Sequence, residues 1–392
     1  MLRCNILSIF LAFSLLAGAQ DWKVVRENPQ KAFPKTMAAG NYSGIAHLHN
    51  DIYAVVSDKS DGALYFNFWI QVNPKTGELE QVENLGFTER TDGTLNDGKF
   101  WQGQEKGFDH EAIVKVSDST LVIASEGYCR LKEYPILPTS ADAAKVGSSQ
   151  NLWESRWASS EFYPNYNFES LAFDSVRQYL WTIPESTLRK DGQPATPQNG
   201  LANQLRLMRL DWGKIKENRN KEDNGKEDSS EQVSSKKDSR YMMTYAYQMD
   251  QPSTHKKADI YVMGVSELCA LPDGQLLVLE REAFIPKIKI GAFCKCKLYL
   301  INPLNSGEFS TDEKSSMKEK FSSDTPFLKK RLLTEWKTGL SLSKRSFANY
   351  EGMCLGPKLE DGSQVVILLS DSQDQYAGVL KDWFKTIVIR KE

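Results

Sequence analysis

Apolar residues recur along this chain in short runs, and the runs come in pairs joined by a turn. In the clearest pair, Asn349-Tyr350-Glu351-Gly352-Met353 opens the first run. Glu360-Asp361-Gly362 is the turn, and Val365-Val366-Ile367-Leu368-Leu369-Ser370-Asp371 is the second run. Runs of this length, rich in Val, Ile, Leu, Tyr and Trp and bounded by Asp-Gly turns, predict β-hairpins. Helical periodicity is absent outside the first residues. Similar pairs start at Ser43, Glu111, Glu169 and Glu267, so five hairpins are expected, their starts 58 to 98 residues apart. Each carries an acidic residue at or near both ends.

Further apolar runs supply outer strands: Leu64 to Val72, Leu79 to Leu85, Leu205 to Trp212, Tyr241 to Met249, Lys297 to Ile301, Lys329 to Trp336 and Lys385 to Arg390. The fifth repeat ends one strand short. Trp22-Lys23-Val24-Val25-Arg26 is strand-like and otherwise unassigned, so it is expected to complete that repeat and close a ring. The fold class is therefore all-β. It is a β-propeller of four-stranded antiparallel blades, five by count, with six as the alternative and a β-sandwich as the competing architecture. Gly213–Arg240 and Ser306–Thr325 are almost wholly polar and are expected to form mobile, charged surface loops inserted at about 213–240 and 306–325.

The first 19 residues have a different pattern. Arg3, an apolar stretch from Ile6 to Leu16 and Ala17-Gly18-Ala19 have the layout of a cleaved signal peptide. The apolar stretch is short for a bilayer span. The expected product is an exported protein, periplasmic or extracellular, with residues 20–392 as one propeller domain and no membrane span. A hydrophobic share of 40% and a charged share of 26% fit an ordinary globular chain. A formal charge of -2, without basic patches interleaved with aromatics, gives no reason to expect a nucleic-acid partner. Beyond the leader, Cys129, Cys269, Cys294, Cys296 and Cys354 are odd in number, so at least one thiol stays outside any intramolecular disulfide. A monomer is expected.

Strand direction turns the repeated acids into a site. In an antiparallel hairpin the start of the first strand lies beside the end of the second. Glu111 with Glu126, Glu169 with Glu185, Glu267 with Glu280, and Glu351 with Asp371 should then share one end of their blades, joined by Asp58. Propeller blades surround a central channel, so these acids should crowd one mouth. Like charges in a partly dry pocket must be protonated, paired or neutralised by a cation. Arg281 and Lys59 are candidate internal partners. Hard oxygen ligands in an exported protein suit Ca²⁺, with Glu111, Glu126, Glu169, Glu267, Glu280, Glu351 and Asp371 as candidate ligands. His110, between Asp109 and Glu111, is a candidate acid or base. Glu111, Glu169, Glu351 and Arg281 are the other candidate catalytic residues.

The units Ser43-Gly44-Ile45, Asp109-His110-Glu111-Ala112-Ile113 with Ser125-Glu126-Gly127, and Asn167-Phe168-Glu169-Ser170-Leu171 resemble those of the phytase-like β-propeller family. So do Glu267-Leu268-Cys269-Ala270-Leu271 with Leu277-Val278-Leu279-Glu280-Arg281, and Asn349-Tyr350-Glu351-Gly352-Met353 with Ser370-Asp371. That family is named for the esterase-like activity of phytase. The resemblance implies a propeller, export, and hydrolysis of a small-molecule ester or phosphoester. A non-catalytic propeller binding a ligand or protein is the alternative, with a lactonase-type enzyme as a further one.

Overall fold

The computed structural model describes residues 21–37, 40–58, 63–89, 109–136, 153–224, 241–306, 321–341, 345–373, 375 and 380–392. The expected leader lies outside them, as do Lys59 and most of both polar insertions. Two strands open the described chain, β1 (Trp22–Glu27) and β2 (Lys31–Ala32). Blade one is β3 (Tyr42–His49), β4 (Ile52–Ser57), β5 (Ala63–Val72) and β6 (Leu79–Glu89). Blade two is β7 (His110–Lys115), β8 (Thr120–Ser125), β9 (Arg130–Pro135) and β10 (Glu154–Arg156). Blade three is β11 (Phe168–Asp174), β12 (Tyr179–Pro184), β13 (Gln204–Asp211) and β14 (Met242–Gln248), with helix α1 (Trp212–Asn224) before its last strand. Blade four is β15 (Ile260–Ala270), β16 (Leu276–Ile285), β17 (Phe293–Ile301) and β18 (Lys330–Gly339). Blade five is β19 (Asn349–Lys358), β20 (Gln364–Asp371) and β21 (Trp383–Lys391), completed by β1.

The five sheets form a ring. Innermost strands touch in the order β3, β7, β11, β15, β19, and β19 returns to β3. A hydrophobic core fills the space between each neighbouring pair of blades. Tyr42, Val55, Phe66 and Phe68 pack with Val365, Ile367 and Leu369 between blades one and five. Val122, Leu131 and Trp153 pack with Phe168, Leu180 and Met208 between blades two and three. The second strands are therefore covered on both faces, which explains their continuous apolar runs. β4, β8 and β12 are each buried from their second residue onward. Each such Val, Ile or Leu contributes about 1.5–3 kcal/mol.

The terminal strand closes the ring as expected. β1 pairs antiparallel with β21 from Trp22↔Lys391 to Glu27↔Ile387. The indole of Trp22 donates to Asp273 Oδ2 (2.8 Å), which ties the same strand to the turn of blade four. One insertion departs from expectation. Its first part is α1, whose Trp212 and Ile215 are buried and whose Lys216 Nζ sits 2.9 Å from Glu133 of blade two. Two apolar anchors in an otherwise polar segment suffice to dock a helix there, but are too few to show periodicity. Residues 225–240 of that insertion lie outside the described residues.

Candidate functional site

Every innermost strand carries a register shift at the same level. It falls between Tyr42 and Ile45, His110 and Ala112, Phe168 and Leu171, Val265 and Glu267, and Tyr350 and Gly352. A bulge leaves an extra residue unpaired and re-aims its side chain. Aligning the five bulges places Ser43, Glu111, Glu169, Ser266 and Glu351 in equivalent positions. One residue beyond the pair that flanks each bulge on the mouth side, the second strands carry Asp58, Glu126, Glu185, Arg281 and Asp371. The backbone N–H groups of Asp58, Glu126 and Glu185 donate to the carbonyls of Asn41, Asp109 and Asn167 (3.1, 2.8 and 2.8 Å). Arg281 pairs with Gly264, and Asp371 with Asn349. The mouth is thus a ring of acids interrupted by Ser43 in blade one and by both Ser266 and Arg281 in blade four.

Arg281 neutralises one side of the mouth. Its Nη2 lies 2.5 Å from Glu185 Oε1 and 3.1 Å from Glu169 Oε2, while Nη1 bonds Glu351 and reaches Asn349 Oδ1 at 3.1 Å. The side chains of Arg281 and Glu185 are buried, and those of Glu169 and Glu351 nearly so. Burial works against the guanidinium charge, but Glu169, Glu351 and Glu185 more than offset it and raise the Arg281 pKa. Burial raises the pKa of Glu169, with Glu185 adding to it and Arg281 opposing. Glu351 is raised by burial as well, again against Arg281.

Blades one and two form the other side. The carboxylate oxygens of Asp58, Asp109 and Glu111 lie within 4.8 Å of one another, all three side chains part-exposed. Burial, then Asp58, Glu351, Asp109 and Glu126, hold the Glu111 pKa well above the usual carboxylate range. Glu126 is pushed up to about 7 by burial, then by Asp109 and Glu185. It also accepts the Asn167 backbone N–H at 3.2 Å. Tyr166 borders the mouth, its phenol raised to about 12 by burial and by Glu185.

The structure brings Glu111, Glu126, Glu169, Glu351, Asp371 and Arg281 to the mouth and removes three expected members. Glu267 follows the bulge rather than forming it. It is buried, and its Oε1 accepts the backbone N–H groups of Leu171 and Leu268, both at 2.9 Å, so it clamps blade three to blade four. Glu280 lies one residue before the mouth position and pairs outward with Tyr247 and Lys330 (2.7 Å each). Both were misplaced by one residue, and a one-residue slip in a strand reverses the face. His110 occupies the register position of Tyr42, Phe168, Val265 and Tyr350, all core residues, and is itself buried. It is a core histidine by position, not part of the rim. Sequence reasoning missed Ser266, placed Asp58 and Glu185 at the mouth without assigning them a role, and named Asp109 as the neighbour of His110.

Other expectations resolve simply. Cys129, Cys269, Cys294, Cys296 and Cys354 are all buried free thiols. Trp153 and Trp181 are fully buried core. Among the described residues no helix is long and apolar enough to cross a membrane.

Together these features define a five-bladed β-propeller with an acidic mouth bridged on one side by an internal arginine. The chain belongs to the phytase-like family, described as esterase-like activity of phytase, whose model matches residues 37–373. Among solved structures it is similar to a streptogramin B lyase at 9% identity, covering 93% of this chain and 98% of that one, with a TM-score of 0.32. It is also similar to virginiamycin B lyase from Staphylococcus aureus at 7% identity, covering 94% and 99%, with a TM-score of 0.31. A Hadza microbial sialidase shares 11% identity over 90% of this chain and 70% of that one, with a TM-score of 0.26. Likenesses this distant carry no argument about chemistry. No curated protein matches the chain.

Proposed function

We propose that this chain is an exported hydrolase of esters or phosphoesters that uses a divalent cation, calcium foremost, at the propeller mouth. The observation that carries the reading is the division of the mouth. Arg281 neutralises Glu169, Glu185 and Glu351 on one side, whereas on the other Asp58, Asp109 and Glu111 bring one carboxylate oxygen each within 4.8 Å of one another. Three part-exposed carboxylates at that spacing suit a hard cation with oxygen ligands. Bound there, the cation would supply Lewis acidity toward a carbonyl or phosphoryl oxygen and a bridge between an anionic substrate and an acidic mouth.

The remaining work falls to the chain itself. Glu126, with a pKa near 7, is suited to take a proton from the attacking water. It then returns that proton to the departing alkoxide oxygen as the ester or phosphoester bond breaks. Arg281 fixes Glu169 and Glu351, and so sets the width of the mouth on the opposite side.

The test is turnover of an ester and phosphoester panel before and after chelation, with Glu111→Gln and Glu126→Gln alongside the parent. The expected result is loss on chelation, recovery with calcium, and a drop of roughly 10²–10⁴-fold in the Glu126 variant. Turnover indifferent to chelation would overturn the cation mechanism. Absence of turnover with ligand binding intact would make the protein a binding propeller.

A further inference from the structure

Blade four is taller than its neighbours. Among the described residues, the inner hairpins of the other blades end their pairing at the mouth, at Tyr42↔Ser57, His110↔Ser125, Phe168↔Pro184 and Asn349↔Asp371. β15 and β16 continue past Gly264↔Arg281 through Met263↔Glu282, Val262↔Ala283 and Tyr261↔Phe284 to Ile260↔Ile285. Four further pairs lift the end of the hairpin roughly 13 Å above Arg281, at about 3.3 Å per residue. The turn at its tip, Pro286-Lys287-Ile288-Lys289-Ile290-Gly291, points Ile288 into solvent at 74% exposure and Ile290 at 47%, with Ile260 below them at 50%.

Basic residues occur in the turn itself and in the segment that leads into β15. His255, Lys256, Lys257 and Lys287 are exposed, and Lys289 is partly balanced by Asp259 at 3.3 Å. Behind the tip, Lys337 Nζ lies 3.6 Å above the ring of Phe293. The tip is rigid rather than loose. Lys289 N–H donates to Pro286 O (2.8 Å), Gly291 N–H to Leu340 O (2.8 Å) and Leu340 N–H to Ala292 O (2.9 Å). Phe284 and Phe293 stack beneath it, centroids 5.2 Å apart.

We propose that this overhang docks the protein on an anionic lipid bilayer. Protruding isoleucines alternating with lysines on a convex, pre-ordered tip have the two properties that interfacial insertion requires, apolar side chains to bury and cations for the headgroups. Each lysine near an anionic surface strengthens binding roughly fivefold. The acidic mouth does not cancel this attraction. It stands back from the tip by roughly 13 Å, beyond the Debye length of about 8 Å at physiological ionic strength. Docking in this way would turn the mouth toward the lipid surface. The formal charge of -2 conceals this local asymmetry.

The experiment is co-sedimentation of the protein with phosphatidylcholine vesicles, with and without phosphatidylglycerol, at physiological salt. Its readout is independent of turnover. Pelleting is expected only with the anionic vesicles. Ile288→Asp combined with Ile290→Asp should weaken it at least tenfold, and Lys256→Gln, Lys257→Gln and Lys287→Gln together by roughly a hundredfold. These side chains are exposed, so circular dichroism should show every variant folded. Ile288→Trp should show a blue-shifted emission on anionic vesicles. No pelleting with anionic vesicles, equal pelleting with neutral ones, or binding unchanged by the isoleucine variants would overturn the proposal.

Discussion

Arg281 Nη2 sits 2.5 Å from Glu185 Oε1, with both side chains buried. The two come from neighbouring blades, so this pair joins blade three to blade four at the mouth. Removing one partner of a buried ion pair leaves an uncompensated charge, which costs about 3–5 kcal/mol. Arg281→Gln should therefore lower unfolding free energy by about that amount in a urea titration with chelator present. Calcium should restore part of the loss, because it can replace the missing positive charge. An Arg281→Gln protein as stable as the parent in chelator would show that the cluster is already neutral through protonation.

Gly264 lies directly under that pair. A Cβ added there would stand 2.4 Å from Glu185 Cγ and 2.5 Å from the Glu185 carbonyl oxygen. The carbonyl is main chain, and it accepts the Val265 N–H at 3.1 Å, so it cannot simply rotate away. Gly264→Ala is expected to cost about 1–3 kcal/mol as an overpacked contact. It should also lower turnover by moving Glu185 off Arg281. A variant with parental melting temperature and parental kinetics would refute the tight approach.

The raised carboxyl groups predict an unusual pH dependence. The Glu126 pKa rises from 4.5 to about 7 in the folded protein. Between those values the folded chain holds a proton that the unfolded chain has lost. The contribution of Glu126 is therefore full below 4.5 and is lost as pH rises through about 7. Glu111, Glu169 and Glu351 shift in the same direction. In chelator, the parent should lose stability relative to Glu126→Gln as pH rises across this window. Calcium binds the ionised carboxylates, so its stabilising effect should grow over the same range. Thermal melts of both proteins, with and without calcium, would settle it, and a stability difference that stays flat with pH would count against the assignment.

The sequence carried more of the fold than of the site. Hairpin repeats, the closing role of Trp22–Glu27 and the convergence of Glu111, Glu169 and Glu351 all follow from strand length and direction. Blade two's outer strands, Arg130–Pro135 and Glu154–Arg156, are short and mixed in polarity, and left no clear pattern. At blade four the acids sit one residue away from the mouth positions, because register and not residue type decides which side chain faces the mouth. Glu267 and Glu280 look like Glu351 and Asp371 by residue type. Their apolar neighbours Leu268 and Leu279 place them one residue away, and the bulge at Ser266 hides the slip. Arg281 was visible as a charge beside an acid. Its burial among Glu169, Glu185 and Glu351 needed three blades to be placed in space.

This distinction between mouth and clamp can be measured. Glu267 Oε1 accepts the Leu171 N–H across the blade boundary and the Leu268 N–H of its own strand, and burial holds its pKa well above the carboxylate range. A protonated carboxyl closely resembles an amide, so Glu267→Gln should be nearly neutral. Glu267→Ala orphans the buried Leu171 N–H and should cost about 1–3 kcal/mol. Neither should change calcium affinity, because neither touches the mouth. Asp109→Asn should do the reverse. It removes one charged oxygen ligand from the set with Asp58 and Glu111, relieves repulsion in the cation-free protein, and weakens calcium binding by roughly 10-fold or more on the scale of comparable metal-site changes. Calorimetric calcium titration and urea unfolding on the same variants separate the two roles. Equal calcium affinity in Asp109→Asn and the parent would remove Asp109 from the cation site, and weakened affinity in Glu267→Gln would return Glu267 to it.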